Sequence, residues 1–194
     1  MSRLILASAS PRRLQLLNQI GIEVEVIPCD LPEVRAPGES PLVYSQRVSR
    51  EKAAAGWRAA GCPRERISLG ADTEVVLGDR VFGKPADAAD ARAMLAELAG
   101  REHQVLSSVA LCGVQVDTVL TSTTTVRFAA LTPAQIARYV DSGESLGRAG
   151  AYAIQGLAGC FVERIDGSYS GVMGLPLCET AELLRRIGID PLLG

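Results

Sequence analysis

The chain begins with a short apolar run, then small residues, then apolar residues at helical spacing. The run Leu4–Leu6 predicts a buried strand, and residues 7–9 carry only small side chains. Ser10 suits the N-cap of a helix and Pro11 suits its first position. Apolar residues three apart then predict a helix that ends at Gly21. This start predicts a strand that leads through a tight turn into a helix.

Strand and helix patterns alternate along the rest of the chain. Alternating or continuous apolar positions predict further strands over residues 23–27, 67–77, 80–82, 104–112, 116–129 and 160–165. Capping residues and helical periodicity predict helices over residues 41–60, 88–99, 133–142 and 178–187, with residues 168–173 as a loop. A helix and a strand succeeding one another in this way is typical of an α/β fold.

Composition places the chain among globular proteins with a sizeable core. Its 194 residues suit one large domain or two small lobes, and 47% are hydrophobic against 22% charged. The net charge is −2 and no basic block is present, which argues against a nucleic acid polymer as the partner. A mononucleotide stays possible, because it needs only a few cations in one cleft.

Cysteine and histidine usage narrows the chemistry. The five cysteines are scattered, without a CxxC pair or a Cys/His cluster, so a structural zinc site is not expected. Reduced thiols, no signal peptide and no run long enough for a bilayer predict a cytoplasmic protein that does not enter a membrane. The single histidine, His103, lies at a polar strand start without an obvious partner, and we predict that it is at the surface.

The first helix carries a candidate anion site. Arg12 and Arg13 lie in its first turn, where cations oppose the helix dipole, so an anion is expected to compensate them. The small residues before them, including Ser8, would let a phosphate approach the backbone. The alternative is a solvated arginine pair on a surface helix. The motif is neither a Walker loop nor GxGxxG, so neither standard nucleotide signature applies.

A second candidate group contains carboxylates and lysines. Asp72 lies between small residues inside an apolar strand, where a carboxylate requires an ion pair, a hydrogen bond or a metal. Lys84 follows within reach of the hairpin, although Asp72 could also simply anchor a turn. The acidic loop of residues 29–39 carries Asp30 and Glu33. Lys52, followed by three alanines, could point inward, but helical spacing alone does not decide its direction.

A glycine-rich stretch at residues 147–159 offers two polar side chains, Arg148 and Gln155. Glycines allow close backbone approach to a ligand. A glutamine amide presents a donor and an acceptor together, which suits the edge of a pyrimidine base. The alternative is a compact turn system that joins a helix to a strand.

The assembled motifs resemble the Maf family of nucleoside triphosphate pyrophosphatases. The matching segments, in chain order, are LASASPRR, the acidic loop with Glu33, REKA, GADTEVVL, the GKP turn, GRAGAYAIQG and GSYSGVMGLPLCET. Together they span nearly the whole chain. Departures from the family pattern are mild: Ala9 and Ala153 stand where glycine is common, and neither removes a functional group.

This resemblance implies a fold and an activity. The expected fold is α/β, a central mixed, twisted sheet flanked by helices, with two lobes around a cleft, similar to inosine triphosphate pyrophosphatase. Residues 1–194 would form a single Maf-like domain, and a homodimer is usual for the family. Its members cleave a nucleotide between the α- and β-phosphates, and they need a divalent cation. Mg²⁺ or Mn²⁺ suits the carboxylates here.

The resemblance also assigns roles to individual residues. Arg12, Thr73 and Gln155 match the specificity positions of the branch that acts on dTTP and UTP, with modified pyrimidine triphosphates as further candidates. The expected triphosphate ligands are Ser8, Arg12 and Arg13, with Lys52 and Lys84 adding positive charge near the leaving pyrophosphate. Asp72 is the expected general base, which would activate water directly or as a metal-bound water. Glu33 and Asp72 are the expected metal ligands, with orientation of the water as the alternative role of Glu33.

Two other functions fit the same motifs. A non-catalytic nucleotide-binding regulator of cell division would keep Arg12 and Arg13 but would not need Asp72 beside Lys84 and Glu33. A sugar-phosphate or nucleotide-sugar enzyme would use the same phosphate site but show no base preference among triphosphates. Turnover of dTTP with a divalent metal distinguishes these functions from the pyrophosphatase.

Overall fold

The protein is described by a computed structural model that covers residues 3–29 and 31–192. Asp30, which the sequence places in the acidic loop, lies outside the described residues. Within them, the chain forms a mixed seven-stranded sheet with helices packed on it, so the predicted α/β class is confirmed. No helix in the described ranges is both long enough and apolar enough to cross a bilayer.

The sheet has the order β2-β1-β3-β5-β6-β7. The seventh strand, β4, pairs with β3 and is not part of this linear order. β1 is parallel to β2 and β3, and the remaining pairings are antiparallel. The strands are β1 Leu4–Leu6, β2 Val24–Val26, β3 Ile67–Leu77, β4 Arg80–Phe82, β5 Glu102–Gly113, β6 Val116–Phe128 and β7 Val162–Asp166. Every predicted strand is therefore present, with end positions that differ by a few residues.

Six α-helices lie in the described part of the chain. They are α1 Pro11–Gln19, α2 Pro41–Ala59, α3 Ala88–Leu98, α4 Pro133–Asp141, α5 Tyr169–Met173 and α6 Leu177–Arg186. The prediction of a loop over residues 168–173 is wrong, because this segment contains α5. Ser168 caps α5 by accepting a hydrogen bond from Gly171 N at 3.0 Å. The helix has only five residues, which is too short for helical periodicity to be recognised in the sequence.

The apolar side chains form two clusters. One lies around β1, α1 and α6 and includes Ala71, and the other lies around α3, α4 and the far end of the sheet and includes Val75. Both residues belong to β3, and Asp72 lies between them. The two-lobe arrangement implied by the resemblance corresponds to these clusters, and β3 is the strand that they share.

Alternate residues of β3 face opposite sides of the sheet, and glycines bring α2 close to one of these sides. A Cβ added at Gly70 would lie 2.3 Å from both Ala53 N and Ser49 O on α2. A Cβ added at Gly56 would lie 2.7 Å from Ser68 Oγ. These close contacts require glycine, because such separations lie far inside van der Waals contact. They hold the helix that carries functional side chains directly against β3.

His103 is buried, so the prediction of a surface position is wrong. Its side chain lies at the start of β5, the residue is 2% exposed, and Nε2 lies 2.9 Å from the hydroxyl of Tyr152. Phe128 packs edge-on against the imidazole with ring centroids 4.9 Å apart. Burial lowers the pKa of His103 to about 4, so the ring is neutral near pH 7.

Candidate active site

A gap in strand pairing along one edge of β3 creates the site. On that edge, β1 pairs with residues 67–69 and β4 pairs with residues 75–77, while β5 covers the opposite edge. Residues 70–74 therefore have a strand neighbour on the β5 side alone within the described sheet. The loop after β1 and the start of α1 reach into this gap. Asp72, Thr73 and Glu74 therefore lie at an opening, although β3 is an inner strand of the sheet.

Two cavities meet at this gap. One, of about 540 Å³, is lined by the loop after β1, the start of α1 and the turn at residues 147–149. The other, of about 720 Å³, is lined by the acidic loop and the β3–β4 hairpin. Glu33, Thr73, Lys84 and Ala149 line both cavities, so the two are parts of one cleft.

One side of the cleft is cationic. Arg12, Arg13 and Arg148 all line the smaller cavity. Ser8 is buried there, and its Oγ accepts hydrogen bonds from Ser10 N and from Arg13 Nη1, each at 3.2 Å. The Nε atoms of Arg12 and Arg148 are buried and have no hydrogen-bond partner among the described residues. Unpartnered guanidinium donors at a cavity wall are suited to bind an anion.

The start of α1 adds further open donors. Ser10 occupies the N-cap position but makes no side-chain capping hydrogen bond. Ser40 and Thr132 precede proline in the same way, and both cap their helices through the side chain. The first turn of α1 therefore keeps backbone N–H groups that no N-cap side chain satisfies, and it directly follows the loop that carries Ser8.

The arginines also repel one another. The pKa of Arg12 is lowered to about 10, first by burial and then by the nearby charges of Arg148 and Arg13. Arg12 still carries its charge near pH 7, so the three cations keep an unfavourable mutual interaction in the free protein. A bound polyanion would relieve that repulsion, which makes this wall the candidate triphosphate site.

The junction between α5 and α6 fixes the orientation of two site residues. The carbonyl oxygen of Gly174 accepts a hydrogen bond from Arg13 Nε at 2.9 Å and one from Thr73 Oγ1 at 3.4 Å. Gly174 has φ 125°, a backbone conformation that favours glycine. Ser107 Oγ lies 3.2 Å from Thr73 Oγ1 and also donates to Gly171 O. Residues more than 100 positions apart in sequence thus hold Arg13 and Thr73 in place.

The opposite side of the cleft is acidic, and Lys52 connects its members. Lys52 points inward from α2 and is 7% exposed; its Nζ lies 2.8 Å from Asp72 Oδ1 and 2.9 Å from Glu33 Oε1. Asp72 is 2% exposed, and its second oxygen, Oδ2, has no hydrogen-bond partner among the described residues. The structure therefore brings together Lys52, Asp72 and Glu33, three residues that the sequence predicts for the site.

Glu33 is ionised at this position. Burial alone would raise the pKa of its carboxyl group, but the charge and hydrogen bond of Lys52, with Lys84 and Arg13 beyond, hold that pKa below its usual value. Lys84 is exposed at the rim and lines both cavities. Its ammonium group is thus available to a ligand in the cleft.

Glu74 belongs to the acidic side, and the sequence analysis missed it. The residue is 5% exposed, and burial followed by the nearby charge of Asp72 raises the pKa of its carboxyl group well above the usual range. Asp72 and Glu74 are two residues apart on β3, so their side chains share one face. The alternation along the strand is the sequence signal that could have identified Glu74 as a neighbour of Asp72.

The acidic side fits a divalent cation. Glu33, Asp72 and Glu74 each offer a carboxylate oxygen, and these three atoms lie within 4.8 Å of one another. The unpartnered Oδ2 of Asp72 is a buried acceptor that requires a cation or a donor. Carboxylate oxygens are the protein ligands that Mg²⁺ and Mn²⁺ favour. The residues present therefore fit the cation that the family resemblance implies.

The structure does not bring every predicted residue to the cleft. Gln155 is exposed and is not among the residues that line either cavity. Arg148, from the same glycine-rich stretch, does line the smaller cavity. Between them, Gly150 has φ 66°, and a Cβ there would lie 2.9 Å from Val75 Cγ1, so this turn packs tightly on β3. The stretch is both a compact turn and a cleft wall.

Comparison with known proteins identifies the family. The model of the Maf-like protein family matches residues 3–187. The dTTP/UTP pyrophosphatase of Hahella chejuensis is 49% identical over 187 residues, covering 96% of this chain and 93% of that protein. The dTTP/UTP pyrophosphatase of Xanthomonas campestris is 52% identical over 189 residues, covering 95% and 98%. The nucleoside triphosphate pyrophosphatase of Xylella fastidiosa strain M23 is 54% identical over 184 residues, covering 93% and 96%.

These matches extend over nearly the full length of both partners in each pair, so they relate whole proteins rather than a shared fragment. They include the first loop, β3, the glycine-rich turn and the α5–α6 junction, the four segments that form the cleft. The chain belongs to the Maf-like protein family.

Proposed function

We propose that this protein is a nucleoside triphosphate pyrophosphatase that hydrolyses dTTP and UTP to the monophosphate and pyrophosphate. The observation that carries the proposal is the cleft in which unpartnered arginine donors face the Lys52–Asp72 pair and Glu33. A polyanion between these walls would contact cations on one side and a carboxylate with a free oxygen on the other. The names of the relatives in Hahella chejuensis and Xanthomonas campestris support dTTP and UTP as substrates.

The triphosphate is proposed to bind at the arginine wall. Ser8, the first turn of α1, and the guanidinium groups of Arg12 and Arg13 supply the donors, with Arg148 as a further cation in the same cavity. Arg13 is already oriented by Gly174 O and Ser8 Oγ, so little side-chain entropy is lost when it binds. Lys84 and Lys52 add positive charge on the side where pyrophosphate would leave.

Asp72 is the proposed general base. Lys52 holds Oδ1, which leaves Oδ2 as the oxygen that can accept a proton from the attacking water. The water oxygen bonds to the α-phosphorus, and the bond between that phosphorus and the α–β bridging oxygen breaks. The bridging electrons leave with pyrophosphate, and the proton of the water passes to Asp72.

A divalent cation is proposed as the cofactor, with Glu33 and Asp72 as its ligands in this chain. When bound, it would neutralise phosphate charge and lower the pKa of a coordinated water. Mg²⁺ and Mn²⁺ are the proposed ions, because all the candidate ligands are carboxylates.

Base preference is proposed to depend on Arg12, Thr73 and Gln155, the positions implied by the family resemblance. Arg12 and Thr73 lie in the cleft. Gln155 does not line it, so its role in reading the pyrimidine edge stays a prediction from sequence. The single Maf-like domain over residues 1–194 and the homodimer also stay predictions, and light scattering of the purified protein tests the dimer.

A panel of nucleoside triphosphates with Mg²⁺ or Mn²⁺ tests the proposed function. We expect monophosphate and pyrophosphate as products, with dTTP and UTP turned over faster than purine triphosphates. Release of orthophosphate instead of pyrophosphate would contradict cleavage at the α–β bond. Binding of dTTP without turnover would favour the non-catalytic regulator, and turnover without base preference would favour the nucleotide-sugar or sugar-phosphate enzyme.

A further inference from the structure

Glu74 is a buried carboxylate at the cleft to which the proposed reaction assigns no role. We propose that Glu74 is a third protein ligand, with Glu33 and Asp72, of the divalent cation, and that the three carboxylates bind this cation before any nucleotide arrives. This inference rests on the proposed function for the identity of the cation, but it is tested by metal binding alone.

The strand geometry places the Glu74 carboxylate with the other two. Asp72 and Glu74 lie on the face of β3 that packs against α2, as shown by the Lys52 contact to Asp72 and by the close approach of Gly70 to Ala53. One carboxylate oxygen from each of Glu33, Asp72 and Glu74 lies within 4.8 Å of the other two. Oxygens around Mg²⁺ lie at about 2.1 Å from the ion, so the three side chains need to close slightly around it. Glu33, whose side chain is 35% exposed, has room for that movement.

The balance of charge around the three carboxylates points to a missing cation. Lys52 is the ammonium group in direct contact with two of them, at 2.8 Å from Asp72 and 2.9 Å from Glu33. Arg13 Nε and Nη1 are directed to Gly174 O and Ser8 Oγ instead. The lysine that contacts Asp72 and Glu33 leaves Glu74 without a direct cationic contact among the described residues.

Asp72 provides the independent sign of a ligand. Its side chain is 3% exposed, and its Oδ2 is buried without a hydrogen-bond partner among the described residues. An unpaired buried carboxylate oxygen costs free energy, and a second carboxylate beside it increases the cost. A divalent cation shared with Glu74 would use one lone pair of that oxygen and attract both carboxylates, which leaves its other lone pair for the proton of the attacking water.

Glu74 lies in a different part of the cleft from the arginines that are proposed to bind the nucleotide. Glu74 lines the larger cavity, Asp72 lines the smaller one, and Glu33 lines both, whereas the three arginines line the smaller one. Mg²⁺ sites with one or two carboxylates usually depend on substrate phosphates for the remaining ligands. A third carboxylate from the protein would allow the ion to bind to the free enzyme.

The test is titration of the metal-free protein with Mn²⁺, without nucleotide, followed by calorimetry or by the electron paramagnetic resonance signal of free Mn²⁺. We expect the wild-type protein to bind one ion and Glu74→Gln to bind it at least about tenfold more weakly. Loss of a residue that only hydrogen-bonds a metal ligand already lowers metal affinity about 10–100-fold. Glu163→Gln removes an exposed carboxylate on β7 and is the matched control with wild-type affinity. Wild-type Mn²⁺ affinity in Glu74→Gln would overturn the inference.

Thermal melting with excess chelator and with Mn²⁺ keeps the test valid if a variant is unstable. Glutamine keeps the size of Glu74 without its capacity to ionise, so Glu74→Gln should be about as stable as the wild type without metal, and Mn²⁺ should raise its melting temperature less. A lower melting temperature in chelator, with the full Mn²⁺-induced increase, would show a structural role and refute the ligand role. Glu74→Asp, which keeps the charge, should recover part of the Mn²⁺ effect. If the wild type hydrolyses no triphosphate but Mn²⁺ binding still depends on Glu74, the proposed function fails and the metal site stands.

Discussion

Two buried polar pairs, each with one residue on neighbouring strands of this sheet, resemble each other in burial and contact distance but differ in their surroundings. Lys52 Nζ contacts Asp72 Oδ1 on β3 at 2.8 Å, and His103 Nε2 on β5 contacts Tyr152 Oη at 2.9 Å. Asp72 and His103 are each 2% exposed, so burial does not distinguish them. Both residue types are common in catalysis, and from burial and contact distance alone either pair would qualify as a reactive centre.

Their surroundings separate the two pairs. Phe128 and Tyr152 pack edge-on against His103, and burial alone lowers the pKa of its imidazole. The Lys52–Asp72 pair instead lies among Glu33, Glu74 and Arg13, and one oxygen of Asp72 lacks a partner beside an open cavity. A buried polar group with charged neighbours and an unused acceptor at a cleft is suited to chemistry, whereas one enclosed by aromatic rings stabilises the fold.

The largest expected effect distinguishes the pairs by activity. Asp72→Asn removes the proposed base while nearly preserving its shape, so we expect pyrophosphate release from dTTP with Mg²⁺ to fall about 10²–10⁴-fold. The measurement is steady-state pyrophosphate release. Asp117→Asn, an exposed aspartate on β6, is the control and should keep wild-type turnover. Near-normal turnover of Asp72→Asn would remove the functional distinction between the two pairs.

The next prediction concerns the His103–Tyr152 pair and the loss of unfolding free energy at acidic pH. His103 is neutral in the folded protein, with a pKa of about 4, whereas an unfolded histidine titrates near its ordinary value of about 6.5. The stabilisation is therefore complete above the unfolded pKa and is lost as the pH falls from about 6.5 to about 4, because the unfolded chain binds the proton first. The shift corresponds to about 3 kcal/mol of unfolding free energy.

His103→Gln, which does not titrate, should lack this part of the pH dependence. Urea unfolding of both proteins at about pH 7 and about pH 4 measures it, and the contribution of the carboxylates cancels in the difference. Equal loss of stability on acidification in the two proteins would show that His103 is not buried in its neutral form.

The smallest expected effect concerns the packing that forms the charged pair. Gly70→Ala forces a Cβ against the backbone of α2 and should cost about 1–3 kcal/mol of stability while moving Lys52 away from Asp72. We therefore expect reduced turnover together with a lower urea midpoint. Gly83→Ala, where an added Cβ meets nothing within 4 Å, is the stability control. An unchanged urea midpoint in Gly70→Ala would contradict the close approach of α2 to β3.

Sequence patterns were most reliable where a residue's role is local. The strand before Ser8, the proline-initiated helices and the β3–β4 hairpin were all predicted, because caps, turns and periodicity act over a few residues. His103 was misjudged for the opposite reason. Its immediate neighbours are polar, and the residues that bury it, Phe128 and Tyr152, are 25 and 49 positions away in sequence.

The residues of the candidate site show the same contrast between local signals and long-range contacts. Family motifs predicted Ser8, Asp72, Thr73 and Lys84, and the structure places all four at one cleft. The alternation along β3 also places Asp72 and Glu74 on one face of the strand, but it does not show that this face borders a cleft. The location of Gln155 outside the cavity lining could not be read from its motif, because it depends on how the turn before it packs against Val75.

Local conformational preferences and composition were enough to predict the α/β class, the order of elements and the types of chemical group available. The pairing of distant strands, by contrast, established that β1 and β4 leave residues 70–74 of β3 without a strand on one edge. Long-range packing also brings α2 close enough to that strand for Lys52 to contact both Asp72 and Glu33. The physical reason is that electrostatic interactions between buried groups depend on distance and on the exclusion of water, and both arise only when segments distant in sequence pack together.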